Sequence, residues 1–589
     1  MGNWYLYCKK GDFAAISQKF NISPILARIL VNRGLKDNGA INEFLNGSID
    51  MMHDPFLFDD MRKAVSIILH AVEEHKKIRI IGDYDVDGVA SSIVLKKFLC
   101  ALGADADVRL PHRVKDGYGM NEKMAEQAFE DGIGLIVTCD NGISAADAVR
   151  KAEKLGIDVI ITDHHEPPEN IPPAQAVIDA KIPGCTYPYK ELCGAAVAYK
   201  LDQAILKVLS ESSEDSCFKH ISIPELENLL DDLLQFAGMA TITDIVPLVG
   251  ENRIFAKEGI KRLRTTASKG LLALAKEKEI ELGTLNEYHV GFILGPCINS
   301  AGRLADAMIA FELLDTNDNE KAAVLASQLN SLNDQRKSLT QTQAVLAEES
   351  ITSTEEYKNG QLRVICIYLP DAHESVAGII AGRLKEKFNR PALVITDSAE
   401  GLKGSGRSTE DYDLVKALER NKNLLKKYGG HAKAAGFTLN CTADELSDAL
   451  NNEKEAKAII PDKKIWIDMQ LPLKYVTEDL VNEISLLEPF GLDNERPQFA
   501  EKHVTFKDVR IYGKQSNVLK MQLISPEGYA VNGVYFSHAI DTESEFSAIL
   551  EHISSNADKA EFSILYKPAI NSFRNERYPQ AVIDAIEIE

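Results

Sequence analysis

Ile78-Arg79-Ile80-Ile81-Gly82-Asp83-Tyr84-Asp85-Val86-Asp87-Gly88 is a short apolar run that ends in three aspartates at alternate positions. Two further strand-like runs close in the same way. Leu135-Ile136-Val137-Thr138 leads into Cys139-Asp140-Asn141-Gly142, and Val159-Ile160-Ile161-Thr162 leads into Asp163-His164-His165. Between them the pattern predicts two helices, Val89 to Leu102 stopped by Gly103, and Ala145 to Leu155 capped by Ser144 and stopped by Gly156. Strand, helix, strand, helix, strand predicts parallel strands with right-handed crossovers. All three acidic clusters then emerge at the carboxyl edge of one sheet, where open α/β sheets hold their ligands. Five carboxylates and two imidazoles gathered there would raise one another's pKa values unless cations sat among them. The pattern reads as a metal site. Taken alone, Asp87 or Asp140 could instead cap the following helix. Capping calls neither for Asp-x-Asp-x-Asp nor for adjacent histidines.

The 589 residues predict about three or four domains on the usual domain size. A chain 45% apolar and 26% charged has an ordinary soluble, globular composition. No apolar run approaches the length needed to cross a bilayer, and Met1 to Lys10 lacks the layout of a signal peptide. Nine cysteines, an odd number without a CxxC pair, predict free thiols in a reducing cytoplasm rather than disulfides or a zinc ribbon. A net charge of −22 excludes a uniformly basic nucleic-acid-binding surface but leaves room for a basic groove in an acidic body.

Outward from the acidic motifs, the N-terminal 60 residues hold a polar lead and a helical stretch around Pro24 to Arg33. Leu192 to Ala196 opens a further helix, and Leu209 to Leu226, rich in Ser, Glu and Asp, reads as an insertion or long loop. Asp244 interrupts the apolar stretch Phe236 to Leu248, either as a helix cap or as another contributor to the metal site. Glu320 to Glu349 has neither glycine nor proline and predicts a helix of roughly 45 Å, a connector between two lobes. A second α/β unit follows, with strands Leu362 to Tyr368 and Pro391 to Thr396 around the helix Ser375 to Phe388. Gly401 to Ser408 and Gly429 to Gly436 read as glycine-rich loops. Their amides can approach a phosphate while Ser405, Arg407 and His431 bond its oxygens; two tight turns are the alternative. From about residue 465, short alternating strands predict a small barrel, with Tyr535, Phe536, Tyr566 and Phe573 available for base stacking or for its core.

Asp83-Tyr84-Asp85-Val86-Asp87-Gly88, Asp140-Asn141-Gly142-Ile143 and Asp163-His164-His165 resemble the first three motifs of the DHH phosphoesterases, and Thr243 to Leu248 resembles the fourth. Gly295 to Leu304, Leu329 to Asn333 with Arg336, His373 before Val376 to Ile379, Gly404 to Ser408 and Gly429 to His431 follow in the order seen in the RecJ family. The members of that family are single-strand-specific DNA exonucleases that degrade from the 5′ end. The resemblance covers residues from about 60 to 500, and the barrel fits it. It implies an α/β fold: a two-lobed DHH/DHHA1 phosphoesterase core, with parallel sheets, flanking helices and a long connector helix, plus a C-terminal OB-like β-barrel. The implied divisions are an N-terminal helical segment (1–60), a DHH catalytic domain (61–318), a connector helix (319–350), a DHHA1 substrate-binding domain (351–460) and an OB-like nucleic-acid-binding domain (461–589).

The same resemblance implies Asp85, Asp87, Asp140, His164 and Asp244 as ligands of two metal ions, with Asp140 between them and Asp83 and His165 completing the catalytic set. Arg113, Asn299, Arg303, His373, Ser405, Arg407 and His431 are implied to bind substrate. Oxygen-rich ligands with one imidazole suit Mn²⁺ or Mg²⁺. The implied activity is two-metal-ion hydrolysis of single-stranded DNA from 5′ to 3′, releasing 5′-mononucleotides, in DNA repair and recombination. The implied setting is a cytoplasmic monomer without a membrane, with a helicase or single-strand-binding protein as candidate partner. Cys297, Ala372 and Ser375 depart from the family's usual Arg, Trp and Gly, all in the substrate-facing half. Two rival readings are a DHH phosphodiesterase of short RNA or cyclic dinucleotides, and a non-catalytic DNA- or partner-binding scaffold. The connector and barrel speak against the first, and the complete ligand set against the second.

Overall fold

The computed structural model describes residues 3–211, 218, 221–459, 464–513, 516–537, 542–556, 560–573 and 576–589. The chain forms two compact units, one of Met52–Val246 with Ile254–Pro461, the other of Met1–Met51, Pro247–Arg253 and Asp462–Glu589.

The larger unit is built on a five-stranded sheet in the order Ala106–Arg109, Lys77–Ile81, Ile133–Cys139, Asp158–Thr162, Ala176–Ile178, every pairing parallel. The three motif-bearing strands are its centre. Ile80, Ile136, Val137, Ile160 and Ile161 are fully buried, as strands covered on both faces must be. The helix Val86–Ala101 is apolar on nearly every side and lies within the layer formed with Gly194–Ser210 and Ile223–Thr243. Glu122–Glu130 and Ala146–Lys154 cover the opposite face through Met124, Ala128, Val149 and Ala152.

Ser144 is not the predicted cap. After Asp140 the chain turns, with the Ala145 amide donating to the Gly142 carbonyl, and the helix starts at Ala146 with Ala145 in the N-cap position and no side-chain cap bond. Most of the predicted insertion (212–217, 219–220) lies outside the described residues.

The connector is a single helix, Asn319–Ser353, 35 residues and about 52 Å long. Asp318 caps it by accepting from the amides of Glu320 and Lys321. Its first half packs on Lys269–Glu277 and Gly295–Leu304, and its second half buries Ala344, Ala347 and Ile351 against the helix Glu374–Phe388. The second lobe has a mixed sheet in the order Leu425–His431, Ala434–Leu439, Gly401–Arg407, Ala392–Ser398, Ile365–Tyr368, of which only the last pair is parallel.

The first glycine-rich stretch is therefore a strand, Gly401–Arg407. The second is a hairpin whose two strands are joined by a tight turn at Ala432–Lys433, so the turn alternative holds for the second alone. Ser405 pairs with Gly436, and Gly429 pairs with the same residue from the other side. At two of the glycines neighbours rest on the backbone: a Cβ at Gly404 would lie 2.3 Å from the Phe437 ring, and one at Gly406 2.6 Å from Leu414.

In the smaller unit, strands follow the order Met469–Gln470, Phe499–Tyr512, Val518–Ile524, Ala530–Phe536, Glu576–Ile588, Phe562–Phe573. Phe499–Tyr512 also pairs with Phe562–Phe573, so the sheet closes into a barrel. Tyr535 and Tyr566 are core residues, not stacking platforms: both are buried, with hydroxyls donating to Glu545 and to the Leu471 carbonyl. Phe536 is exposed, and the Phe573 side chain lies outside the described residues. The N-terminal lead contains a strand, Asn3–Leu6, parallel to Lys464–Ile467, before the helices Phe13–Phe20, Pro24–Asn32 and Asn38–Asn46.

Candidate metal centre

Each acidic motif is held by the backbone turn that follows its strand. Asp85, rather than Asp87, caps the helix Val86–Ala101: its Oδ1 accepts from the amides of Asp87 (3.0 Å) and Gly88 (3.2 Å). Asp87, in the first turn, accepts instead from two amides that open the helix Gly194–Ser210, Gly194 (2.6 Å) and Ala195 (2.7 Å). Gly194 is required there, because a Cβ would stand 2.5 Å from the Asp140 Cβ. Asp140 itself sits at φ +60°, a conformation that Asp tolerates better than most residues. Asn141 locks that turn by donating to the carbonyls of Ile81 and Cys139 and accepting from the Met120 amide.

These backbone choices gather side chains around one imidazole nitrogen. His164 Nε2 lies 3.1 Å from Asp140, 3.6 Å from Asp87 and 3.8 Å from Asp244. Asp244 reaches the cluster from the C-cap position of the helix Ile223–Thr243, so it is both cap residue and cluster member. Asp83, Asp85 and Asp140 form an adjoining group whose oxygens lie within 4.8 Å of one another. Asp140 is common to both groups.

The donors fit divalent cations. Burial, then the Asp85 charge, pushes the Asp87 carboxyl up to about 7, and burial raises Asp83, Asp140 and Asp244 well above the usual carboxylate range. Burial, then His165, pushes His164 down to about 3, so its ring is neutral at physiological pH. Three carboxyl groups crowd one imidazole nitrogen at 3.1–3.8 Å, and a shared cation would offset the repulsion that holds their protons on.

His165 adjoins this cluster, its ring 4.3 Å from that of His164. Burial alone would lower its pKa, but the Asp163 carboxylate, 2.8 Å from Nδ1, outweighs that and raises it to about 9. Asp163 is fixed in turn by the amides of Ile143, His164 and His165. Tyr118 donates to the Asp140 carbonyl at 2.7 Å and stands within 3.2 Å of both His165 ring nitrogens. Sequence reasoning placed Asp163 among the clustered carboxylates but gave it no role, and left Tyr118 out of the site. The signals were present in Asp163-His164-His165 and in Gly117-Tyr118-Gly119.

Across the same unit, guanidinium groups collect. Arg113 lies over the Tyr84 ring at 4.6 Å. Burial first, then the charges of Arg113, Arg336 and Arg407, lowers the pKa of Arg303, and burial and Arg113 lower that of Arg407. This is a local basic patch in an acidic body. Arg303 donates to the Ser375 carbonyl (2.8 Å), and Asn299 accepts from the Val86 amide (3.1 Å), so Asn299 pins the first acidic turn.

His373 caps the helix Glu374–Phe388, and its Nδ1 lies 2.7 Å from the Ser375 hydroxyl. Ser405 and Arg407 face that helix at Gly378, where a Cβ would come within 2.9 Å of Ser405 Oγ. His431 stands exposed at the end of its strand, within electrostatic reach of His165 and Lys181. Cys297 is buried and accepts from Asn333, so it is packed into the helix layer rather than facing the patch.

Fold and donor set together define a metal-dependent phosphoesterase of the DHH class. The chain matches the DHH family, N-terminal domain, over residues 77–222, the DHHA1 domain over 361–458 and the RecJ OB domain over 467–585. It is 33% identical over 576 residues to the single-stranded-DNA-specific exonuclease RecJ of Bacillus subtilis strain 168, covering 97% of this chain and 68% of that one. It is 31% identical to the Escherichia coli K12 protein of the same name, covering 96% of each. Crystalline RecJ from Thermus thermophilus in complex with Mn²⁺ shares the fold, with a TM-score of 0.81 at 24% identity over 99% of this chain and 79% of that chain. A manganese-bound exonuclease RecJ superposes with a TM-score of 0.57 at 30% identity, covering 70% of this chain and 98% of that one. The chain belongs to the RecJ family.

Proposed function

We infer that the protein is a metal-dependent exonuclease specific for single-stranded DNA, working from 5′ to 3′ and releasing 5′-mononucleotides. The observation that carries this reading is the convergence of Asp87, Asp140 and Asp244 on a neutral His164, beside Asp83 and Asp85, in a chain of this family. Asp85, Asp87, Asp140, His164 and Asp244 would hold two Mn²⁺ or Mg²⁺ ions, with Asp140 shared. When bound, such ions polarise a phosphodiester and lower the pKa of water toward neutrality.

The chain's own residues supply the rest. His165, protonated below about pH 9, donates to the scissile phosphate or to the departing 3′ oxygen, and Asp163 keeps its ring charged and oriented. Arg113 and Arg303 neutralise the incoming backbone, with His373 and His431 beside them. Ser405 and Arg407 take the 5′-phosphate and set the polarity. Water oxygen bonds to phosphorus, the 3′ oxygen of the terminal nucleotide leaves with a proton, and the shortened strand carries a new 5′-phosphate for the same clamp.

In this scheme residues 61–318 carry the chemistry, 351–460 hold the strand's end and 461–589 bind single-stranded nucleic acid. No described helix is long and apolar enough to cross a membrane. We place the enzyme in the cytoplasm as a monomer, fed by a helicase or a single-strand-binding protein. The test is digestion of matched single-stranded and duplex oligonucleotides with Mn²⁺ and with chelator. Rapid loss of the single strand in metal alone is expected; survival of that strand beside cleavage of dinucleotides would replace this reading with the small-substrate one.

A further inference from the structure

Two aromatic side chains stand in solvent where a soluble surface gains nothing from them. Tyr288 is 57% exposed and Phe292 71%, and their rings stack on one another at 5.2 Å and 23°. Phe292 lies in a π-helix, His289–Leu294, a rare element that recurs at functional sites. That π-helix packs on the end of the helix that delivers Asp244. A Cβ at Gly291 would touch Ile242 at 3.6 Å, and one at Gly295 would press on Thr243 at 2.5 Å. Beyond Asp244, Ile245 is 70% exposed at φ +59°, a conformation that β-branched residues rarely hold.

The π-helix continues without a break into Gly295–Leu304, which carries Asn299 and Arg303. Along this one element lie, in order, Arg303 at the guanidinium patch, Asn299 on the first acidic turn, and then Phe292 about 10 Å further out at helical rise. Eleven residues at helical rise put Phe292 about 16 Å from Arg303, a span of a few nucleotides of single strand. Stacked aromatic faces hold any base, because every base has a π face.

We propose that Tyr288 and Phe292 form a stacking platform for bases of the single strand just outside the metal centre, so that the enzyme reads unpaired bases as well as phosphates. The proposal rests on the exonuclease reading above. The platform is sequence-tolerant and selects against duplex, whose bases present no free face.

The test is a set of single-stranded oligothymidylates in which one abasic residue is walked along the strand from the 5′ end. Binding in Ca²⁺ and digestion in Mn²⁺ are measured for the full-length wild type and for Phe292→Ala, Phe292→Leu and Phe292→Trp. Wild type should show one position at which the abasic residue weakens binding between about 5-fold and about 100-fold. Phe292→Ala should bind the intact strand correspondingly more weakly and be indifferent to the abasic residue there. Phe292→Trp should retain the effect and Phe292→Leu should lose it. A purely structural role would leave the positional effect intact in the Ala variant, and that result overturns the proposal. So would unchanged binding together with a concentration-dependent dimer of wild type that Phe292→Ala abolishes, which would make the pair a self-association surface. If wild type neither binds nor digests the intact strand, the exonuclease reading fails instead, a result distinguishable at once from failure of the platform.

Discussion

Replacing Gly194 with alanine adds one carbon at the tightest joint of the metal centre. The new Cβ would stand 2.5 Å from Asp140 Cβ and 2.9 Å from Asp140 Cα, against 3.4–4 Å for ordinary contact, so about 1 Å has to be found. Neither side yields freely. The Asp140 amide is bonded into the strand edge at the Thr162 carbonyl, and Gly194 is tied to Asp87 at 2.6 Å. Overpacking of this kind costs about 1–3 kcal/mol, which a domain of ordinary stability survives. A misplacement near 1 Å at reacting groups costs about 100-fold in rate. Gly194→Ala should therefore stay folded, with a modestly lower Tm, while mononucleotide release from a labelled single strand in Mn²⁺ falls about 100-fold. Gly283→Ala, where a Cβ meets nothing within 4 Å, is the control and should keep its rate. A folded Gly194→Ala enzyme cleaving at the control's rate would refute the claim that Asp87 and Asp140 are held by this joint.

The metal-free protein should lose stability as pH rises from about 4 to about 7. The Asp87 carboxyl is raised to about 7 in the folded chain against an ordinary 3.8, so the native state holds the extra proton in that interval and its advantage vanishes as pH climbs through 7. The Tm gain on adding Mn²⁺ should accordingly grow with pH, and a gain independent of pH would contradict this. His165, held at about 9, should produce an alkaline limb near that pH in single-turnover rates; Asp163→Asn should move it down, and an unmoved limb would separate Asp163 from His165. Arg407→Ala should lower kcat/KM about 10- to 100-fold on 5′-phosphorylated strands and much less on 5′-hydroxyl strands, the scale of one lost charge-assisted hydrogen bond. Equal losses on both would show that the residue does not hold the 5′ end.

The acidic motifs were legible because each is local: a run of buried β-branched residues followed by carboxylates defines both the strand and the edge where its side chains meet. What was not legible depends on distant packing. From its local sequence Asp244 could be cap or ligand, and only the family resemblance singled it out. The packing that brings it to His164, the helix Ile223–Thr243 lying along Val86–Ala101, is not visible in its neighbours. Gly404 and Gly406 read as loop because nothing nearby in sequence shows Phe437 and Leu414 resting on their backbone. The strand Asn3–Leu6 finds its partner only at Lys464–Ile467. Tyr535 and Tyr566 were open between base stacking and core, and closure of the barrel settles both as core. The exposed pair Tyr288 and Phe292 drew no reading from the sequence, where an aromatic at helical spacing ordinarily signals core.

The central claim is that the cluster around Asp140 and His164 hydrolyses single strands from the 5′ end. One single-stranded oligonucleotide, labelled at either end and digested in Mn²⁺ by wild type and by Asp140→Ala, tests it most directly. The account predicts that the 5′ label appears at once as a mononucleotide while the 3′ label shortens gradually, and that the folded Asp140→Ala protein does neither. Early release of the 3′ label, or an Asp140→Ala protein that still cleaves at the wild-type rate, would contradict it.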